Sequence, residues 1–333
     1  MPYFSVIIPV YNRPDEMKEL LASLAAQTFK DFEVIIIEDG STLRCEEIAD
    51  SYRGQLDIRY SYKPNTGQSD SRNIGMQQAA GDYFVFFDSD CIIPPGYFGI
   101  VRKQLSVRHT DCYGGPDAAH ESFSDTQKAI NHSMTSFFTT GGIRGGKAQM
   151  EKFCPRSFNM GISRKAWEAT GGFNDTLGED IDLSTRIRKA GFETQLIREA
   201  FVYHKRRVDL PKFFKQVHIF GQARISLYKQ HPESLKLVHF APAAFTVFVS
   251  GLLILSIWRP WVLLLLAAYL LILFGDSLAQ SKSPKIALLS IVTGVIQLFG
   301  YGTGFIRAFW QKVIRGKKQE SRDKIKHMYN KEN

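Results

Sequence analysis

Tyr83-Phe-Val-Phe-Phe-Asp-Ser-Asp90 is the stretch whose reading decides the fold. Five strand-favouring residues run unbroken, as in a strand covered on both faces, and then give out into two carboxylates one residue apart. In an open α/β sheet the ligand crevice lies at the carboxyl ends of the strands. Asp88 and Asp90 therefore stand where a metal-bound anionic ligand is held. Alone, the pair reads more readily as a solvated turn, since aspartate favours turns. The surrounding sequence decides between the two.

Upstream the pattern repeats. Phe4 to Val10 is a short apolar strand. Asn12 is expected to cap a helix with Pro14 at an early position, Asp15 and Glu16 as first-turn acids, and Met17, Leu20, Leu21 and Leu24 on one buried face. Phe32 to Ile37 is a second strand ending in Glu38-Asp39-Gly40-Ser41. A third, Ile58 to Tyr62, leads through Pro64-Asn65-Thr66-Gly67 to a helix over Ser69 to Ala80 closed by Gly81. This alternation predicts a parallel, doubly wound, Rossmann-like α/β sheet. Its ligand edge gathers Pro9, Tyr11, Asp39, Asn65, Gly67, Arg72, Asp88 and Asp90. Acids for metal and hydroxyls, with an arginine for phosphate, suit a nucleotide diphosphate and its divalent cation. No G-x-G-x-x-G follows the first strand and no Walker lysine loop is present, which argues against dinucleotide oxidoreduction and P-loop phosphate transfer.

At 333 residues the chain is long enough for one large domain with an appendage or for two modest ones. Cys45, Cys91, Cys112 and Cys154 are scattered without metal-ligand spacing and read as buried small hydrophobes in a reducing compartment. Tyr3 to Val10 has no basic region before it, so the N-terminus is expected to stay cytosolic. The formal net charge of +9 is placed unevenly. Tyr203 to Lys236 carries eight Lys/Arg against two Asp/Glu, and Arg307 to Asn333 nine against three. These clusters flank a hydrophobic stretch, where each basic residue near anionic lipid is worth about 1 kcal/mol. Membrane is favoured as partner over nucleic acid.

Three apolar segments, 240–258, 260–280 and 286–306, are expected as transmembrane helices, the middle one at the cost of including Asp276, while Gly294, Gly300, Gly302, Gly304 and Gln297 let the third be a close-packed helix or a re-entrant element sheltered by protein. A cytosolic catalytic half and a basic tail on the same side require an even number of crossings, whereas three crossings export the tail. The expected organisation is a catalytic domain over 1–230, membrane helices over 238–306 and a basic tail over 307–333. Pro211 to Tyr228 reads as a basic amphipathic helix, either at the membrane surface or docked on its own domain.

Ser5-Val-Ile-Ile-Pro-Val-Tyr-Asn12, Glu38-Asp-Gly-Ser41, Asn65-Thr-Gly67, Arg72-Asn73, Asp88-Ser-Asp90 and Gly178-Glu-Asp-Ile-Asp-Leu183 follow in this order. With them the chain resembles family 2 inverting glycosyltransferases of the GT-A, nucleotide-diphospho-sugar transferase fold, over roughly residues 4–225. The resemblance implies a nucleotide-sugar bound through a divalent metal, Mg²⁺ or Mn²⁺. Asp39 would accept from a uracil ring, Pro9 and Tyr11 would line the base pocket, and Asn65 and Gly67 would adjoin the donor. Arg72 would lie near base or phosphates, and Asp88 with Ser89 near ribose or sugar. Asp90 would reach the metal, and His204 matches a metal-binding histidine of relatives. Asp180 would be the general base, although Asp180 and Asp182 also suit the dipole of a helix start. Asn159 and Glu179 would border the acceptor, while Arg206, Arg207, Gln222 and Arg224 are candidates either to contact the diphosphate or to face the membrane. Gly141 to Lys147 reads as a flexible loop whose Arg144 and Lys147 are candidates to meet phosphate.

The function expected is a membrane-anchored inverting glycosyltransferase at the inner (plasma) membrane, its catalytic domain cytoplasmic. It would move a sugar from a UDP-linked donor to a lipid-linked or membrane-proximal saccharide in cell-envelope or exopolysaccharide assembly. A processive polysaccharide synthase is the alternative within enzymes, but Gln222-Ala-Arg224 lacks the Gln-x-x-Arg-Trp spacing of such relatives. A membrane-tethered nucleotide-sugar binder without catalysis is the alternative outside them.

Overall fold

The structure is a computed structural model that describes residues 1–141, 154–205 and 209–316. They form two compact units, one of 1–118 with 154–204 and one of 119–141 with 205–316. Segment 119–141 thus belongs with the apolar helices and not with the first unit.

Numbered along the chain, the first unit opens with β1 (Phe4–Val10), α1 (Pro14–Ala25), β2 (Phe32–Asp39), α2 (Glu46–Tyr52), β3 (Ile58–Lys63) and α3 (Gln68–Gln78). It continues through β4 (Tyr83–Phe87), β5 (Cys91–Ile92), α4 (Tyr97–Val107), β6 (Cys112–Gly114) and β7 (Asp117–Ala118). The chain then passes through α5 (Asp125–Thr135) and α6 (Phe137–Thr140) of the second unit. It returns as β8 (Asn159–Ser163), α7 (Arg164–Thr170), α8 (Glu179–Lys189), β9 (Thr194–Leu196) and β10 (Val202–His204).

Seven strands form one sheet in the order β3-β2-β1-β4-β8-β6-β9. The first four are parallel, as the alternation predicts. Beyond β4 the sheet is mixed: β8 runs antiparallel to both β4 and β6. Between β4 and β8 the described chain passes through α4, β6, β7 and the second-unit helices α5 and α6, so the return direction is not bound to the rule for a simple parallel crossover. Alternate strand residues bury on opposite faces. Val6, Ile8, Val34, Ile36 and Val85 pack with Leu20, Leu24, Phe98 and Val101. Ile7, Ile35, Phe84, Phe86 and Ile162 pack with Met76, Leu183 and Ile187. Each such side chain stabilises the fold by roughly 1.5–3 kcal/mol through burial. A second sheet, β5-β10-β7, has strands of two or three residues, too short for a periodicity to announce them.

Asn12 does not cap α1. Its φ is +51°, and its side-chain oxygen accepts from Thr42 N at 2.8 Å and Leu43 N at 3.0 Å. Arg13 holds the N-cap position without a side-chain bond. A short amide side chain that tolerates the left-handed region can tie a neighbouring loop as readily as a helix start.

The second unit is helical, with α9 (Leu210–Gln230), α10 (Ala241–Leu255), α11 (Leu263–Ser281) and α12 (Pro284–Phe309), the last followed by a π-helical turn. Three segments are long and apolar enough to cross a membrane by length and composition: Leu237–Leu255, Pro260–Ser281 and Pro284–Ile314. The apolar face of α9 is covered by protein. Phe213 and Val217 pack with Ile130, Met134 and Ile296, while Ile225 packs with Ala243, Phe305 and Ala308. Docking on a neighbouring helix imposes the same periodicity as a bilayer, which is why sequence alone left both readings open. Asp276 is not a bare charge: it accepts from His132 Nε2 at 2.9 Å and Ser136 Oγ at 2.6 Å.

Candidate functional site

Parallel pairing places the carboxyl ends of β1, β2, β3 and β4 along one edge of the sheet. Asp39, at the end of β2, is buried and accepts from Thr66 N at 2.8 Å and Gly67 N at 2.9 Å, and it pairs with Lys63. The carboxylate thereby shapes the loop from Pro64 to Gly67 that opens α3. Gly67, with φ +98°, makes the turn into that helix. Gly40, with φ +77°, admits the Asn65 backbone, because a Cβ there would stand 2.6 Å from Asn65 N. Glu38 is fully buried and ties Ser41, the Cys45 amide (2.8 Å) and the Tyr60 hydroxyl (3.1 Å). Pro9 and Tyr11, at the end of β1, are half-buried, and Ser89 is buried.

Arg72 from α3 is only 1% exposed. Its Nη2 donates to Asp88 Oδ1 at 2.8 Å and its Nη1 to Glu179 Oε1 at 3.1 Å, with the guanidinium 5.3 Å from the Phe173 ring centroid. The cation expected near base or phosphates is therefore engaged by two acids, one from each motif. Gln68 Nε2 also donates to Glu179 Oε1, at 2.8 Å. Burial first, then the adjoining Asp180, pushes the Glu179 carboxyl up to about 7. Gly178, with φ +80°, sets the start of α8, so Glu179, Asp180 and Asp182 all fall in its first turn, where the helix dipole favours negative charge. Asp180 receives both of its contacts on Oδ1, from Ile181 N at 2.7 Å and from Arg156 Nη1 at 3.7 Å. Asp182 is buried against Asn174 and Arg186 and holds the helix.

Asp90 and His204 meet across the two sheets of this unit. His204 Nε2 lies 3.2 Å from Asp90 Oδ1, while Arg13 Nη1 lies 3.1 Å from Asp90 Oδ2. The imidazole stacks on Phe158 at 4.8 Å, and its Nδ1 lies 3.9 Å from Asp117 Oδ2. Cys91 Sγ falls within the same cluster, all ligand atoms being within 4.8 Å of one another. Burial raises the Cys91 thiol well above its usual range and its Sγ is 3.6 Å from the Phe158 carbonyl, so it stays a thiol. A carboxylate and an imidazole held this close would suit a divalent cation. Arg13 and Asp117 escaped sequence reasoning. Asp117 carried the same signal as Asp39, an acid within a strand, but on a strand of two residues.

Asn159 is read from sequence as bordering an acceptor. It is fully buried, accepts from Tyr97 OH at 2.6 Å and donates to Ala200 O at 2.8 Å, which commits its amide to the fold. Arg224 is buried on α9 in the second unit. Arg206, Arg207, Arg144, Lys147 and the tail beyond 316 lie outside the described residues.

A mixed sheet with converging acids at its parallel edge defines the GT-A class, and comparison with known proteins agrees. Residues 5–168 match the family model described as Glycosyl transferase family 2, so the chain carries a domain of that family. It is 39% identical over 115 residues to the poly(ribitol-phosphate) beta-N-acetylglucosaminyltransferase TarS of Staphylococcus aureus, covering 33% of this chain and 20% of TarS. It is 33% identical over 115 residues to the uncharacterized glycosyltransferase EpsJ of Bacillus subtilis, 34% of this chain and 33% of EpsJ. The chain thus spans a third or less of these curated relatives. Among solved structures it is similar in fold to a mannosyltransferase of Pyrobaculum calidifontis in complex with GDP-Man and Mn²⁺ (17% identity, TM-score 0.59, 93% and 88% of the two chains). It is similar also to TarS residues 1–349 in complex with UDP (19% identity, TM-score 0.50, 96% and 93%).

Proposed function

We propose that this protein is a membrane-anchored inverting glycosyltransferase that moves a sugar from a nucleoside diphosphate, a uridine one by the role the family resemblance gives Asp39, to a lipid-linked or membrane-proximal saccharide. The observation that carries the reading is the Arg72 bridge, which holds a carboxylate of the Asp88-Ser-Asp90 motif and one of the Glu179-Asp180 motif on a single guanidinium. Donor-side and acceptor-side acids are thereby fixed relative to each other, the positioning that a displacement between two bound substrates requires.

The acceptor hydroxyl attacks the anomeric carbon, the bond to the diphosphate breaks, and the departing nucleoside diphosphate keeps the electron pair. Asp180 Oδ2 takes the hydroxyl proton as the new bond forms, an effect worth on the order of 10²- to 10⁴-fold. Glu179 stays beside Arg72 and Gln68, which both donate to its Oε1, and holds the first turn of α8 against the bridge. Asp90 and His204 would hold Mg²⁺ or Mn²⁺, which when bound offsets charge on the leaving diphosphate. A chain anchored in a bilayer meets acceptors carried by that bilayer, which fits cell-envelope or exopolysaccharide assembly at the plasma membrane.

The test is metal-dependent nucleotide release from a panel of nucleotide-sugars, with membranes bearing the protein and a lipid extract as acceptor source. Release of UDP supports the reading. Donor binding without release, with any acceptor tried, would replace it by a nucleotide-sugar binder.

A further inference from the structure

Three segments qualify by composition as membrane spans, yet α12 differs from the other two in what surrounds it. Its window is 50% buried inside the protein, against 33% for Leu237–Leu255 and 17% for Pro260–Ser281. Helices α5 and α9, which are not among the three candidate spans, lie against it near both ends, while α10 and α11 meet it at Gly302 and Gly294. At its start, Lys285 pairs with Asp125 of α5 at 2.7 Å, and Thr293 donates to the Ala129 carbonyl at 3.0 Å. Further on, Gly300 and Gly304 lie so close to Val217 and His218 of α9 that neither admits a side chain, and Gly221 of α9 is equally tight on Tyr301. Beyond its end, the buried Lys312 donates to Ser226 at 2.6 Å, and Lys229 donates to the Lys312 carbonyl at 3.0 Å.

The two helices therefore run side by side, Val217 at Gly300 and Ser226 at Lys312. If α12 crossed the hydrocarbon, this stretch of α9 would go with it, carrying Arg224 and Lys229. Each such charge costs at least about 2.5 kcal/mol at mid-bilayer. The large apolar residues that α12 and the turn after it leave exposed, Leu288, Val292, Ile306, Trp310 and Ile314, fall on one side at helical spacing. A stripe of that kind suits a helix lying along the headgroup boundary.

The α10–α11 pair is the opposite case. It exposes Phe248, Ile254, Leu264 and Leu271, and no charged residue occurs between Ala241 and Asp276 except Arg259 at the turn. Residues 241–258 and 260–281 make arms of about 27 and 33 Å, near the roughly 30 Å of a hydrocarbon core. Trp258 and Trp261, 69% and 63% exposed, flank Arg259 as interfacial aromatics do. At the other end Asp276 is partnered by His132 and Ser136, consistent with a return to the near boundary.

We infer that the chain crosses the bilayer once in each direction, as an α10–α11 hairpin whose Arg259 tip reaches the opposite headgroups, and that α12 stays on the side of α5 and α9. The occupant of the exposed α10–α11 surface is the lipid bilayer. This rests on the membrane-anchored reading above and gives it a topology: two crossings, with the described residues before α10 and after α12 on one side.

Single cysteines at Arg259, at Arg315 and at the exposed Ser106 of the first unit test it, in a Cys154→Ser background, with a membrane-impermeant maleimide applied to sealed vesicles of either orientation. Arg315→Cys is expected to label with Ser106→Cys in one orientation and Arg259→Cys alone in the other, each at least tenfold above background. Labelling of Arg315→Cys together with Arg259→Cys would mean three crossings and overturn the inference while leaving the anchor intact. Labelling of all three from one side would mean no crossing. Failure of the protein to sediment with the vesicles would sink both the topology and the anchored reading.

Discussion

Arg72 Nη1 donates to Glu179 Oε1 at 3.1 Å across 107 residues of sequence. The same guanidinium reaches Asp88, so one buried cation joins the donor edge of the sheet to the first turn of α8. Lysine offers a compact point charge in place of the planar fork whose two Nη groups reach the two acids separately. Arg72→Lys is expected to destabilise the protein by roughly 2–4 kcal/mol, and Arg72→Met by roughly 3–5 kcal/mol, since each strands buried acid. Thermal unfolding in detergent checks both, and a change below about 0.5 kcal/mol would mean that the bridge is incidental.

Stability should also depend on pH through Glu179. Its carboxyl titrates near 7 in the folded protein against an ordinary 4.5, because burial and then Asp180 disfavour its charge. The folded state therefore binds this proton more tightly than the unfolded one. The contribution is complete below about pH 4.5 and is lost as pH rises towards 7, on the order of 1–3 kcal/mol. Unfolding midpoints of wild type and Glu179→Gln from pH 5 to 8 should diverge in that sense, with the wild type falling relative to the variant. Parallel curves would remove Glu179 as the titrating group.

Metal affinity offers a readout independent of turnover. Asp90→Asn and His204→Ala are each expected to weaken Mn²⁺ binding roughly tenfold or more, measured by the free Mn²⁺ signal in electron paramagnetic resonance. Unchanged affinity in both would place the cation elsewhere.

Asn159→Ala separates a structural role from an acceptor role. It leaves the Tyr97 hydroxyl and the Ala200 carbonyl without their partner, at roughly 1–3 kcal/mol. A lower melting temperature with unchanged acceptor KM is the expected result. A raised KM with unchanged stability would return Asn159 to the acceptor site.

The legible parts of the fold are those that repeat. Strands β1 to β4 announce themselves by unbroken apolar runs, and because they are parallel their acidic ends, Asp39 and Asp88, necessarily share an edge. The direction of β8 was not legible, for an apolar run reads the same in either sense. The β5-β10-β7 sheet escaped because two residues carry no period, and Asp117 was lost with it. Arg72 was found but given a different partner: sequence identifies a cation near the crevice, whereas only the fold shows that Glu179 arrives there first. The periodicity of α9 was read correctly as one apolar face, and the glycines of α12, noted as allowing close packing, proved to be what that face meets.

The most direct test of the account replaces Asp180 with asparagine, which keeps the shape and most of the hydrogen bonding but cannot take a proton at neutral pH. The variant should bind nucleotide-sugar and Mn²⁺ as the wild type does while losing on the order of 10²- to 10⁴-fold in sugar transfer. Transfer at the wild-type rate would contradict the assignment of Asp180 as the base.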